Sequence, residues 1–223
     1  MKLEIPGISG PVTPGKVLCI GRNYAAHAAE MESAVPEEPM IFLKPSSALT
    51  GSGSVVAIPS RSRDVHHEVE LVCCIGKNGK NISREAALDH VVAYAVGLDL
   101  TARDIQGEAK RKGHPWSVSK GFDTFAPIGG FKESALVGDP SDINIKLYVN
   151  DELRQYGNTG SMIFDIPTLV SFCSEIFTLE PGDLIYTGTP EGVGPIRVGD
   201  TLRATADELP ELVVTVSGQD RDE

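Results

Sequence analysis

A chain of 223 residues, 41% of them hydrophobic, is long enough for one large domain with a substantial core or for two small ones, and no repeat or low-complexity linker forces a split. Its formal net charge of −11 argues against nucleic acid and anionic membrane surfaces as partners, and an anionic small molecule would need a local positive site made by a metal or a few Arg and Lys side chains. No apolar run approaches the roughly 18 residues of a membrane span, the N-terminus has no presequence pattern, and Cys19, Cys73, Cys74 and Cys173 read as small buried hydrophobes, so the expectation is a soluble, cytoplasmic protein with one domain over 1–223 and residues 1–15 as a short extension.

Residues 16–20 read as a buried strand stopped by Gly21, and residues 22–24 lead into an alanine-rich stretch with strong helix propensity and Asn23 as a reasonable cap. On that helix His27 and Glu30 stand at i and i+3, hence on one face, where they can act together on one water or proton. The Pro-bearing stretch 35–39 ends it. A short helix between a glycine and a proline-rich exit can open and close over a site, so residues 24–38 are predicted to be a lid. Apolar strands follow at 40–44 and 55–59.

The stretch 66–75 is the most informative. In an extended strand alternate side chains share a face, so Glu68 and Glu70 point the same way, roughly 6 to 7 Å apart. The apolar continuation 71–75 carries them into a core, where two carboxylates are costly unless a cation sits between them. A bare E-x-E pair can equally lie on a solvated edge strand. The metal reading needs a third ligand, and Asp99 closes a second apolar run, 91–98, with Ala93, Ala95 and Gly97 on its own face leaving room for something to sit. Three carboxylates without a thiolate select Mg²⁺, Mn²⁺ or Ca²⁺ over Zn²⁺. His66 shares the carboxylate face and is an additional ligand or a hydrogen-bonding neighbour.

A helix is predicted from Ser83, which caps it, to about His90. Arg103 and Gln106 follow Asp99 at i and i+3 spacing, whereas Lys110, Arg111 and Lys112 read as a solvated face. Trp116 and Lys120 lie in a stretch too irregular to assign. Residues 143–149 alternate cleanly and Asn150-Asp151 turns them into a hairpin; Asp165 and Pro167 open a helix; residues 184–187, 201–205 and 212–216 supply closing strands. The glycine-rich loop 188–195 follows no phosphate or dinucleotide spacing, which leaves turn formation as its default role.

Taken together, HHEVEL at 66–71, LDLTARD at 98–104, TLEPGD at 178–183 and GTPEGVGP at 188–195 closely resemble the fumarylacetoacetate hydrolase family. GRNYAAHAAEM at 21–31 and MIF at 162–164 resemble its acylpyruvase and oxaloacetate decarboxylase branch. The resemblance covers residues 16–199. It implies an α+β, mainly β fold, a mixed β-sandwich roll with a few short helices, forming a single catalytic domain and usually a homodimer. It implies one Mg²⁺ or Mn²⁺ on Glu68, Glu70 and Asp99, catalytic roles for His27, Glu30 and Lys120, and contacts to a small anionic 2-oxo acid from Arg22, Arg103, Gln106 and Thr189. The activity implied is acylpyruvate hydrolysis or oxaloacetate decarboxylation through a metal-stabilised enolate. Oxaloacetate tautomerase, fumarylpyruvate hydrolase and 2-hydroxyhepta-2,4-diene-1,7-dioate isomerase are the alternatives within the family, and a non-catalytic, metal-binding β-sandwich interaction module is the alternative outside it.

Overall fold

Every residue of the strand Val69–Ile75 is buried, which requires packed layers on both of its faces. The computed structural model, which describes residues 1–31 and 34–218, supplies them. Glu32 and Ser33 of the predicted lid lie outside the described residues. The central mixed sheet runs in the order Met40–Lys44, Val17–Gly21, Leu184–Tyr186, Val69–Ile75, Val91–Leu98, Ala126–Ile128 and Leu49–Gly51, with Lys132–Glu133 also paired to Val91–Leu98. On one face Leu71, Cys73 and Ile75 share a core with Ile145, Leu147, Leu202, Ala204, Leu212 and Val214 of a second sheet. That sheet, ordered Glu152–Asn158, Asn144–Val149, Thr201–Ala206, Leu212–Gly218 and Val55–Ile58, buries alternate residues as a one-faced sheet should. On the other face Val72, Cys74, Ala93 and Ala95 meet Leu3 and Ile5, so the N-terminal segment is a cover for the core. The result is the mainly β sandwich expected, with four short helices among the described residues: α1 (Ala25–Glu30), α2 (Arg103–Lys112), α3 (Ser117–Lys120) and α4 (Ile166–Ile176). None of them is long and apolar enough to cross a membrane.

Local chemistry explains most of these elements. The hairpin turns on Asn150 and Asp151, both at positive φ, 51° and 65°, as a tight two-residue turn between right-twisted strands requires. The Asp165 side chain accepts from the Thr168 amide and caps α4. All four cysteines are free and buried.

Four expectations are corrected. The stretch 66–75 is two strands, Val65–His67 in a small three-stranded sheet and Val69–Ile75 in the central one, with Glu68 at the break. The predicted helix at 83–90 is a 3-10 turn, Arg84–His90, uncapped by Ser83. Its N-terminal approach is instead held by α4: the Ile82 amide donates to Ser174 Oγ and Ser171 Oγ donates to the Ile82 carbonyl. Asn23 does not cap α1; it is buried, donating to the carbonyls of Phe164 and Thr187 and accepting from the Phe164 amide, so it ties three segments together. The small face of Ala93, Ala95 and Gly97 holds no ligand, because Tyr186 fills it: a Cβ on Gly97 would lie 2.7 Å from the Tyr186 ring and 2.7 Å from Val72.

Gly97→Ala should therefore overpack the core and cost about 1–3 kcal/mol. In a urea titration the midpoint should fall with an unchanged slope; an unchanged midpoint would show that Tyr186 can move away freely.

Candidate functional site

The antiparallel register of the two central strands places Glu70 opposite Gly97. One residue beyond that ladder, the Asp99 amide donates to the Glu68 carbonyl at 2.8 Å. Glu68, Glu70 and Asp99 thereby converge, exposed by only 4%, 1% and 1%, and each offers an oxygen within 4.8 Å of the others.

Three cations answer them. Lys120 Nζ bridges Glu68 Oε2 at 2.9 Å and Asp99 Oδ2 at 2.5 Å, and Arg103 pairs with Glu68 Oε1 while donating to Gln106 Oε1. Lys44 Nζ lies 2.7 Å from Asp99 Oδ1. Burial opposes charge on Glu68, but Lys120 and Arg103 outweigh it and hold its pKa well below the usual carboxylate range. Burial likewise opposes charge on Lys120, and Asp99 with Glu68 reverses the balance and raises its pKa.

Two oxygens stand outside this balance. The three donors of the Lys44 ammonium go to the carbonyls of Leu100, Lys120 and Phe125, so its contact with Asp99 Oδ1 is charge without a hydrogen bond. Asp99 Oδ1 is then a buried acceptor with no hydrogen-bond partner among the described residues. Glu70 has no cation against it among the described residues and accepts from the Gly188 amide at 2.8 Å; burial, then Asp99 and Glu68, push its pKa well above the ordinary value. A hard divalent cation bound by oxygen would satisfy both groups, and the donor set fits Mg²⁺ or Mn²⁺.

The carboxylates line a cavity of about 30 Å³, and Arg22, His27, Arg103, Gln106, Lys120 and Thr189 lie in the same wall. His27 is buried, with Nδ1 3.3 Å from Glu30 Oε2, and Glu30 is fixed in turn by the Gly192 amide at 3.1 and 3.2 Å. Apart from His66 and from Glu30, which reaches it through His27, every site residue picked out from the sequence thus lines this cavity. His66 does not join the ligands: its Nε2 turns to Asp64 Oδ1, 2.9 Å away, since the break at Glu68 ends the shared face. The loop 188–195 does more than turn. Gly188, at φ +98° with its Cα against Asn23, presents the amide that holds Glu70.

Sequence reasoning missed several residues. Lys44 ends an apolar edge strand, and no local signal sets it apart. Gln155 lies in the hairpin and is 1% exposed; its Oε1 is bonded to His67 Nδ1 and the Val69 amide, and its Nε2 donates to Thr189 Oγ1 and the Pro190 carbonyl. It thus links the metal-ligand strand to the loop. Lys110, assigned to a solvated face, is exposed as expected but also lines the cavity, with Nζ 5.3 Å from the centre of the Trp116 ring.

Glu70→Gln keeps the size and the Gly188 bond but removes the unpaired charge. It should weaken Mn²⁺ binding by at least the roughly 10–100-fold that loss of an outer-shell partner costs, measured by electron paramagnetic resonance titration. Wild-type affinity in the variant would remove Glu70 from the ligand set.

With the geometry established, comparison with known proteins gives it a context. The model of the fumarylacetoacetate hydrolase C-terminal family matches residues 16–217. An uncharacterized protein of Pyrococcus abyssi is 53% identical over 209 residues, 94% of this chain and 93% of that one. The mitochondrial oxaloacetate tautomerase of Mus musculus is 50% identical over 196 residues, 88% of this chain and 89% of its own. The crystal structure of fumarylpyruvate hydrolase from Pseudomonas aeruginosa in complex with Mn²⁺ and pyruvate superimposes with a TM-score of 0.91 at 41% identity, covering 98% of this chain and 96% of that one. By the extent of the family match and the identity of these relatives, the chain belongs to the fumarylacetoacetate hydrolase family.

Proposed function

We propose that this protein is a divalent-metal-dependent enzyme acting on small 2-oxo acids, and that interconversion of the enol and keto forms of oxaloacetate is the reaction its site serves best. The observation that carries the reading is the buried triad of Glu68, Glu70 and Asp99 with Lys120 bridging two of its members. The similarity to a mitochondrial oxaloacetate tautomerase over most of both chains supports the choice of substrate. This proposal departs from the order expected from sequence, where acylpyruvate hydrolysis and oxaloacetate decarboxylation came first and oxaloacetate tautomerisation close behind.

A bound Mg²⁺ or Mn²⁺ would supply Lewis-acid stabilisation to negative charge developing on the 2-oxo oxygen. The chain's own residues do the rest. Arg103 and Gln106, fixed to each other by a 2.9 Å hydrogen bond, present N–H donors to the substrate's carboxylate. The Lys120 ammonium lies against the carboxylates, where it favours the anionic form of the substrate. His27 Nδ1 is engaged by Glu30, which leaves Nε2 to take the proton from C3 of the keto form or return it. Phe42, Met40 and Trp116 in the cavity wall restrict water around the reacting carbon. α1 would act as the lid, its closed position held by the Glu30 contact to Gly192.

A second reading, hydrolysis of an acylpyruvate, is favoured by the His27–Glu30 pair and by the likeness to the fumarylpyruvate hydrolase that binds pyruvate. There the pair would remove a proton from water as it attacks the distal carbonyl. The C3–C4 bond then breaks, and C3 takes up a proton.

Turnover of enol oxaloacetate, keto oxaloacetate and acetylpyruvate with Mg²⁺ tests both. The wild-type protein should interconvert the oxaloacetate forms, and His27→Ala should lower that rate by roughly 10²–10⁴, the usual contribution of a positioned acid–base group. An unaffected tautomerisation rate in His27→Ala with lost acetylpyruvate cleavage would favour the second reading. No turnover of any 2-oxo acid would overturn both.

A further inference from the structure

The cavity at the carboxylates opens outward, and its outer part has a different character. A second cavity of about 360 Å³ shares Met31, Arg103, Gln106 and Lys110 with the inner one. These last three lie at i, i+3 and i+7 on α2, so one helix face runs from the proposed metal centre to the rim, about 10 Å along the axis. A helical side chain leans toward the N-terminus of its helix, which carries the Lys110 ammonium back toward Gln106 and the inner cavity. Lys112, off this face, pairs with Glu108.

Charge divides the cations in and around the cavity into two groups. Lys44, Lys120 and Arg103 are matched by Asp99 and Glu68. Arg22 and Lys110 line the same cavity, and among the described residues neither has a carboxylate partner. Glu30, which lines the outer cavity, is already engaged by His27 and the Gly192 amide. Lys110 stacks against the Trp116 ring and not against an anion. The pKa of Lys110 is lowered by burial and then by the charges of Arg103 and Arg22, so these three cations repel one another. An anion between them would relieve that repulsion.

We infer that Lys110, where the inner cavity meets the outer one, forms with Arg22 of the inner wall a second anion-binding position, which takes the distal carboxylate of a 2-oxo dicarboxylate whose 2-oxo acid end lies at Glu68, Glu70 and Asp99. This rests on the function proposed above and sharpens it, because it makes the site selective for dicarboxylates over monocarboxylates of the same length. Lys110 and Arg22 are specificity determinants and take no part in proton transfer.

The test is calorimetric binding to the Mg²⁺-loaded protein of three unreactive probes: oxalate, which has no distal group; 2-hydroxybutyrate, a four-carbon monocarboxylate; and malate, its dicarboxylate counterpart. Wild-type protein should bind malate more tightly than 2-hydroxybutyrate. Lys110→Met should weaken malate by about tenfold or more, the size of one charge-assisted hydrogen bond, and leave oxalate and 2-hydroxybutyrate within about twofold. Lys110→Arg should keep the preference, and Arg22→Met should reduce it. Equal loss for all three probes in Lys110→Met, or no loss for malate, would overturn the inference while leaving the 2-oxo acid reading standing. Failure of the wild-type protein to bind oxalate would overturn that reading and the inference with it.

Discussion

Three carboxylates crowded into a buried pocket are the constraint to which the rest of this molecule answers. At about 4 Å and an effective dielectric constant of about 20, each pair of like charges repels by about 4 kcal/mol, so the three pairs together would rival the whole net stability of an ordinary domain, about 5–15 kcal/mol. The fold offsets this with Lys44, Lys120 and Arg103, and with the Gly188 amide aimed at Glu70. What it leaves over is specific: the Glu70 charge and one lone acceptor on Asp99. A divalent cation is the ligand that those leftovers describe. An added divalent ion makes the pocket more positive and suits it to anions inside an acidic protein.

Placement of the triad follows from strand pairing. The register that sets Glu70 opposite Gly97 also brings Asp99 to Glu68 at the end of the ladder. Slipping it by one residue would turn the carboxylates into the apolar layers. Tyr186 packed on Gly97, and Gly188 packed on Asn23, secure the neighbouring strand and loop. Asn23 and Gln155 then act as polar clasps: Asn23 joins the approach to α1 to residues 164 and 187, and Gln155 joins the hairpin to the loop that carries Thr189. The proton-moving pair on α1, the metal ligands in and beside two strands, and the loop that carries Thr189 are therefore held by hydrogen bonds between residues 34 to 164 apart in the chain.

Some of this could be read in the sequence because it depends on local periodicity. Glu68 and Glu70 two apart, Asp99 at the end of an apolar run, His27 and Glu30 three apart on a short helix, and Asn150-Asp151 between alternating strands are all short-range signals. The remainder depends on what meets what. Nothing local distinguishes Lys44 from any lysine at the end of a strand; its role comes from the three carbonyls that surround it. Gln155 and Lys110 read as ordinary polar residues until the hairpin and α2 are folded against the site. Small residues at 93, 95 and 97 imply space, but the tyrosine that fills it stands 89 residues beyond Gly97. The helix boundary at Ser83 failed for a related reason, since the hydrogen bonds that hold that segment come from α4.

The account's central claim is that this pocket holds one divalent cation between Glu68, Glu70 and Asp99. Anomalous diffraction from a crystal of the protein soaked in Mn²⁺ tests it directly. One strong peak within bonding distance of all three carboxylates is the result predicted. A pocket with no peak, in a crystal where Mn²⁺ is ordered elsewhere or with Lys120 still bridging Glu68 and Asp99, would contradict it.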